Sequence, residues 1–341
     1  MASRDSPYRD EWIGTPIRLH SADLSVDVLP DNGGRIASIR CRHSETEFLL
    51  TGSNYTARAR FSSTALFEES DCAGMDECLP TISASVSESP TGSAPDHGDL
   101  WRHPWRVLEQ TEDEVVLNTE CVSCPLSFTR HLTVQESHLQ LAYRIKNMSR
   151  SAVPFLYASH PLFAVEPGDR LILPHEVDRV LLHYSRGNRV GHAGRFVHWP
   201  VEVIREERIG LDKVGEESDG TAEMLYTGRL SRGICALYRA KRRQAIVLHF
   251  DTVMLPFLGL WICNGGWPDN PKKRKQHAVA MEPTVAPYGS LAEAITANAA
   301  PILEPDTEFT FSVQIEILGW HRPWSYDDVT RYVDQADYKI G

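Results

Sequence analysis

The sequence predicts an all-β protein, a large antiparallel β-sandwich with few short helices. Segments of alternating apolar and polar residues recur at short spacing along most of the chain. Clusters of turn-forming residues separate them. No helix-period segment of useful length interrupts them. Regular short strands without crossover helices fold as an antiparallel sandwich or barrel rather than as βαβ units.

Residues 1–14 are polar and predict an N-terminal arm. From Thr15 the segments TPIRLHS, LSVDVLP and GRIASIRCR alternate as strands, with DNGG at 31–34 as a turn. Residues 51–95 are less regular. GMDECLPTI at 74–82 sets Asp76 beside Glu77 ahead of a short apolar segment, and the Ser/Pro-rich run SASVSESPTGSAP then leads straight to His97. A long loop of that kind inside a compact domain is expected on the rim of a site.

Alternation returns at Val107. RVLEQ, DEVVLNTECV, LSFTRHLTV, HLQLAYRIKN and AVPFLYASH read as strands, with ESH and NMSRS as turns. RLILP, RFVHWPV, GICALYRA, QAIVLHF, FLGLWICN, HAVAMEP and FTFSVQIEIL continue the pattern, and LAEAITAN at 291–298 reads as a short helix. The sandwich domain is therefore expected over residues 15–320.

Residues 321–341 form a tail of different character. Ser325 suits an N-cap, Asp327 and Asp328 favour the first turn, and Tyr326, Val329, Tyr332 and Val333 share one helical face. A short docking helix is expected. It packs either on its own sheet or on a second copy, which would make a homodimer.

Composition narrows the function. The 341 residues carry a formal charge of -11, which argues against a general nucleic-acid binder. The basic runs at 241–243 and 272–275 read as solvated loops, although the second lies near a candidate site wall and stays open as an anion contact. No apolar run approaches the roughly 20 residues that span a membrane. The N-terminus carries no signal-type apolar stretch, and the seven cysteines give no disulfide framework, so a reduced, cytoplasmic chain is expected. Cys121 and Cys124 form a CxxC without a second pair, which reads as chance rather than as a zinc site. Neither a metal nor a cofactor is predicted.

The densest chemistry lies at 96–105, DHGDLWRHPW. Such residues suggest a polar cleft with aromatic walls. Two echoes follow: His160 precedes Pro161, and Glu282 precedes Pro283. His97, His160 and Glu282 are predicted to meet in one pocket. A histidine of pKa about 6.5 and a glutamate of about 4.3 can serve as acid and base to one substrate. The chain has no nucleophile elbow, Walker loop or dinucleotide fingerprint. Trp101, Trp105, Trp261 and Trp267 add aromatic faces, which suit a sugar ring. Asp76, Glu77, Trp101, Arg102, Trp261 and Asn264 are the candidate substrate-binding residues. His103, His131, His183, His192, His198 and His249 are read as structural.

On these residues the chain resembles the galactose mutarotase (aldose 1-epimerase) superfamily. The motifs are PDNGGRIASI, GMDECLPTI with DHGDLWRHPW, the His-Pro pair of SHPLF and the Glu-Pro pair of MEPTVAPYG, in that order across residues 24–317. The resemblance implies a single-domain supersandwich with an open cleft for a free sugar. It implies His160 as the acid that protonates the ring oxygen and Glu282 as the base on the anomeric hydroxyl. His97 would hydrogen-bond the sugar, and no cofactor would be required. Where the hexose-6-phosphate branch is similar to HGFAR, this chain has Trp101 in place of the arginine and Arg102 one position on. In extended backbone that offset turns the side chain to the other face, so an unphosphorylated sugar is expected. The same site could instead serve a lyase or epimerase of a modified (keto or uronic) sugar or glycoside, or a non-catalytic carbohydrate-binding protein.

Overall fold

The computed structural model describes residues 15–52, 66–87 and 92–336. The expected arm at 1–14 lies outside them, as do residues 88–91 of the Ser/Pro-rich loop and the last residues of the tail. In chain order the strands are β1 (Ile17–His20), β2 (Leu24–Leu29), β3 (Arg35–Cys41), β4 (Met75–Cys78), β5 (Arg106–Gln110), β6 (Glu114–Glu120), β7 (Leu126–Gln135), β8 (His138–Asn147), β9 (Val153–Pro154), β10 (Ala158–Ala164) and β11 (Arg170–Ile172). They continue as β12 (Arg179–Ser185), β13 (Phe196–His198), β14 (Val201–Ile204), β15 (Glu207–Gly210), β16 (Thr221–Thr227), β17 (Ile234–Arg239), β18 (Gln244–Phe250), β19 (Phe257–Asn264) and β20 (His277–Thr284). Helix α1 (Leu291–Thr296), β21 (Ile302–Leu303), β22 (Glu308–Leu318) and helix α2 (Tyr326–Gln335) complete the order.

Two antiparallel sheets form the sandwich. The first has ten strands in the order β1-β2-β3-β4-β10-β20-β19-β16-β12-β13, and the second has eight in the order β11-β17-β18-β22-β8-β7-β6-β5. The main core lies between them and includes Phe128 and Ile145 from one sheet and Leu225, Leu260 and Met281 from the other. Strands β7 and β8 bury every second residue, because one face meets the core and the other meets water.

The middle of the first sheet is different. Strand β10 has no exposed residue and neither has β20, because segments lie over their outer face as well. Double burial removes the polar half of the alternation. It also explains why β16 (TAEMLYT) is absent from the sequence reading; β12 (RVLLHYS), absent as well, is only half covered, with Leu181, His183 and Tyr184 half-buried. AVPFLYASH, expected as one strand, is divided. Between β9 and β10 the Phe155 N–H turns to Pro301 O and the Leu156 N–H to Pro80 O, so the chain leaves one ladder before joining the next.

Helix α2 follows the sequence closely. Ser325 Oγ accepts the Asp328 N–H at 3.1 Å, and the Ser325 N–H donates to the Asp328 carboxylate at 2.9 Å. Val329 and Val333 are buried on the outer face of the second sheet against Ile234, Ala236 and Val247. Each such valine contributes about 1.5–3 kcal/mol of burial. The tail therefore docks on its own sheet.

Candidate active site

The site is built by strand register. Ala158 faces Thr284 and Leu162 faces Ala280, which sets His160 level with Glu282. His160 also pairs with Asp76, Glu282 with Gly259, and Gly259 with Tyr226. Cross-strand partners share a face. One row across the first sheet therefore reads Asp76, His160, Glu282, Gly259, Tyr226. The next row along the strands reads Leu162, Ala280, Trp261, Met224, Tyr184. His160, Glu282 and Tyr226 of the first row and Leu162, Trp261, Met224 and Tyr184 of the second form the floor of a cavity of about 350 Å³, with Phe67, Ile82, Ser83, His97, Trp267 and Gln276 in its walls.

His97 reaches this floor from the DHGDLWRHPW loop. Its φ is +56°, and its Nδ1 lies 3.0 Å from Asp96 Oδ1. The ring stacks on Phe67 at 4.1 Å between centroids and meets His160 edge-on at 5.1 Å. Gly98 follows with φ +69°, and a Cβ there would stand 2.0 Å from Leu79 O. Only glycine lets the loop pass so close. Asp99 then anchors the loop by accepting the N–H groups of Val122 and Ser123 and the Ser123 hydroxyl.

The structure brings His97, His160, Glu282 and Trp261 to the cavity. Other residues expected to touch substrate lie elsewhere. Asp76 and Glu77 are consecutive on β4 and point to opposite faces. Glu77 is fully buried in the core, where it accepts hydrogen bonds from Arg130 (2.9 Å), Tyr143 (3.0 Å) and Tyr157 (2.7 Å). Asp76 is on the site face, but its carboxylate lies 3.6 Å from Arg35 and off the cavity wall.

Trp101 is fully buried beneath Phe67 and donates its indole N–H to Asp96 O. Arg102 donates to the carbonyls of Gly98 and Asp96, with its guanidinium 4.6 Å from the Trp101 ring. Both residues hold the loop from behind. Asn264 accepts the Gly215 N–H and donates to Thr221 Oγ1, away from the cavity.

Sequence reasoning missed Phe67, His183, Tyr184, Met224 and Tyr226 in the lining. All but Phe67 stand on the unrecognised strands β12 and β16. His183, read as structural, lines the cavity. Trp267 meets Trp261 edge-on at 6.2 Å. Trp261 is held by its N–H bond to Gln276 Oε1. Lys273, Arg274 and Lys275 line an adjoining cavity that shares Trp267 and Gln276 with the first.

Burial sets the electrostatics. It pushes the Glu282 carboxyl up to about 8. Burial, with His97 next, pushes His160 down to about 3 against the pull of Asp76 and Asp96. Burial also lifts Asp76 to about 6 despite Arg35. His160 Nε2 lies 3.7 Å from Glu282 Oε1. His160 Nδ1 and Glu282 Oε2 are buried and have no hydrogen-bond partner. Such groups are rare in folded proteins and call for a ligand or a function. Among the described residues no cluster of three or more His, Cys, Asp or Glu is placed to hold a metal.

No protein-family model matches the chain, and no curated protein matches it. Solved structures do. A galactose mutarotase-like protein from Lactobacillus casei ATCC 334 superposes with a TM-score of 0.64 at 15% identity, covering 89% of this chain and 100% of that one. The galactose mutarotase related enzyme from Lactobacillus acidophilus gives 0.62 at 14% identity, covering 89% and 97%. The aldose epimerase homologue from C. elegans gives 0.59 at 12% identity, covering 89% and 98%. Sheet order, strand register and these superpositions together identify the architecture: the chain has the galactose mutarotase-like β-sandwich fold.

Proposed function

We propose that this protein is an acid–base isomerase that interconverts the anomers of a free, unphosphorylated sugar. The observation that carries the reading is the buried His160–Glu282 pair, 3.7 Å apart on the floor of an aromatic cavity. With Glu282 raised to about 8 and His160 lowered to about 3, the pair holds one proton across neutral pH. Anomerisation needs one proton delivered to the ring oxygen and one taken from the anomeric hydroxyl.

In the empty cavity the proton rests on Glu282. Sugar hydroxyls entering beside the pair solvate charge, and the proton passes to His160. The imidazolium then protonates the ring oxygen while the Glu282 carboxylate takes the hydroxyl proton. The bond between C1 and the ring oxygen breaks, and C1 becomes an aldehyde carbon. Rotation about C1–C2 presents its other face. Ring closure reverses both transfers, and the pair holds one proton throughout. Each positioned group contributes roughly 10²–10⁴-fold. His97, fixed by Asp96, places a sugar hydroxyl, and Trp261 offers a face to the ring C–H groups.

Polarimetry of α-D-glucose and α-D-galactose with the wild type and Glu282→Gln tests this. Faster equilibration by the wild type, lost in the variant, is expected. No acceleration with either sugar would overturn the mutarotase reading and move the weight to a modified sugar or to binding alone.

A further inference from the structure

Strand β12 carries a bulge. Leu182 pairs with Leu225 and Tyr184 with Met224, so His183 is the extra residue between them. Leu182 belongs to the core between the sheets. His183 and Tyr184, although consecutive, both line the cavity. In a regular strand two such neighbours face opposite ways. The bulge turns His183 back to the site, a use that bulges beside functional sites commonly have.

A second polar atom stands beside its ring. The Cβ position of Gly289 lies 3.2 Å from His183 Nε2 and 2.9 Å from Ser83 Oγ, and all three residues line the cavity. A side chain at Gly289 would cover both atoms. Backbone bonds fix the pair, since Gly289 O accepts the N–H groups of Ile82 at 3.0 Å and Ser83 at 2.8 Å. Among the described residues neither the His183 ring nor the Ser83 hydroxyl has a hydrogen-bond partner. Burial lowers the His183 pKa against a smaller pull from Glu293, which keeps the ring neutral at neutral pH. A neutral imidazole and a serine hydroxyl together offer a donor and an acceptor and no net charge. That set satisfies an alcohol, and it gives an anionic group nothing to pair with.

Resting on the reading above, we infer that His183 and Ser83 bind the C4 hydroxyl of the sugar and so decide which epimer the site accepts. The Tyr226 ring stands between Glu282 and His183. One of its carbons is 3.2 Å from the Cβ position of Gly259, which is also 3.2 Å from Glu282 Oε2, and its other contact is His183, edge-on at 5.6 Å. Glu282 and His183 are thus about one six-membered ring apart. A pyranose is such a ring, with C1 and C4 at opposite corners, so C1 beside Glu282 brings C4 to His183. The C4 hydroxyl is equatorial in glucose and axial in galactose. A donor and an acceptor fixed in one direction meet one of these and stay unpaired with the other. A site built to hydrogen-bond a hydroxyl rejects the sugar that leaves its polar groups unpaired.

The test uses Ser83→Ala, which removes one hydroxyl and nothing else, and His183→Ala. D-glucose, D-galactose and 4-deoxy-D-glucose, the 4-deoxy form common to both epimers, are titrated against tryptophan fluorescence, since Trp261 and Trp267 line the cavity. Their mutarotation is followed by polarimetry. Each variant is expected to bind the epimer that the wild type prefers about 2–10-fold more weakly, to narrow the gap between glucose and galactose, and to bind 4-deoxy-D-glucose as the wild type does. KM is expected to rise with kcat nearly unchanged, because C4 is bound alike in ground and transition states. Equal loss for all three sugars, no loss for any, or a wild type that binds the three alike overturns the C4 assignment and leaves the mutarotase reading standing. Loss confined to a sugar with a C4 hydroxyl, without turnover by the wild type, supports the assignment and overturns the mutarotase reading. Wild-type protein that binds none of these sugars overturns both.

Discussion

His160 Nε2 and Glu282 Oε1 stand 3.7 Å apart, too far to hydrogen-bond and close enough for one sugar oxygen to touch both. The proposed reaction needs the pair to hold one proton. Turnover is therefore expected to rise through about pH 3, as His160 loses its proton, and to fall through about pH 8, as Glu282 loses its own. The pH dependence of kcat/KM reports these values for the free protein. A profile flat from pH 5 to 10 would contradict the assignment of the alkaline limb to Glu282.

The same burial shapes stability. The folded Glu282 pKa of about 8 lies above its ordinary 4.5, so the folded state binds the extra proton between those values and stability falls as pH rises. The folded His160 pKa of about 3 lies below its ordinary 6.5, so its contribution rises with pH over that window. The two oppose each other from about 4.5 to 6.5, and Glu282 acts alone from about 6.5 to 8. Glu282→Gln is expected to remove that alkaline decline. Melting temperatures of both proteins at pH 6.5 and pH 8 check it, the gain of the variant being larger at pH 8.

Glu77 and Arg130 form a fully buried ion pair at 2.9 Å, with both tyrosine hydroxyls on the same carboxylate. Removing one partner leaves an uncompensated charge between the sheets. Glu77→Ala is expected to cost about 3–5 kcal/mol in urea unfolding. The double variant Glu77→Leu with Arg130→Met is expected to lose less than the single one, because no charge is then stranded.

Gly98→Ala tests the anchoring of His97. The new methyl would stand 2.0 Å from Leu79 O in a left-handed backbone, so the loop must shift. Turnover is expected to fall at least about tenfold, since small misplacements of a positioned group are costly. An unchanged far-UV circular dichroism spectrum and a cooperative melt separate this from unfolding.

Much of the fold was legible because a sheet with one wet face writes its period into the chain. LSFTRHLTV and HLQLAYRIKN alternate cleanly and became β7 and β8. RVLLHYS and TAEMLYT do not: β16 is largely covered on both faces, and β12 carries apolar and aromatic side chains, Leu181 and Tyr184, at half-buried positions. The loss fell on the site, since those strands carry His183, Tyr184, Met224 and Tyr226 to the cavity. His97, His160 and Glu282 were legible through local chemistry, a titratable residue set beside glycine or proline. Glu77 and Asn264 looked equally suitable and face elsewhere.

The sequence alone determined the β class, the turns, the α2 cap and which groups can titrate, because each depends on neighbours a few residues apart. Tertiary structure decided which of those groups meet. His160 and Glu282 are more than a hundred residues apart and become neighbours through strand register, and Asp76 and Glu77 are adjacent in sequence and separate through the pleat. Burial by distant segments then moves Glu282 and His160 in opposite directions. Register and burial are properties of the assembled sheets, and no short window of sequence contains them.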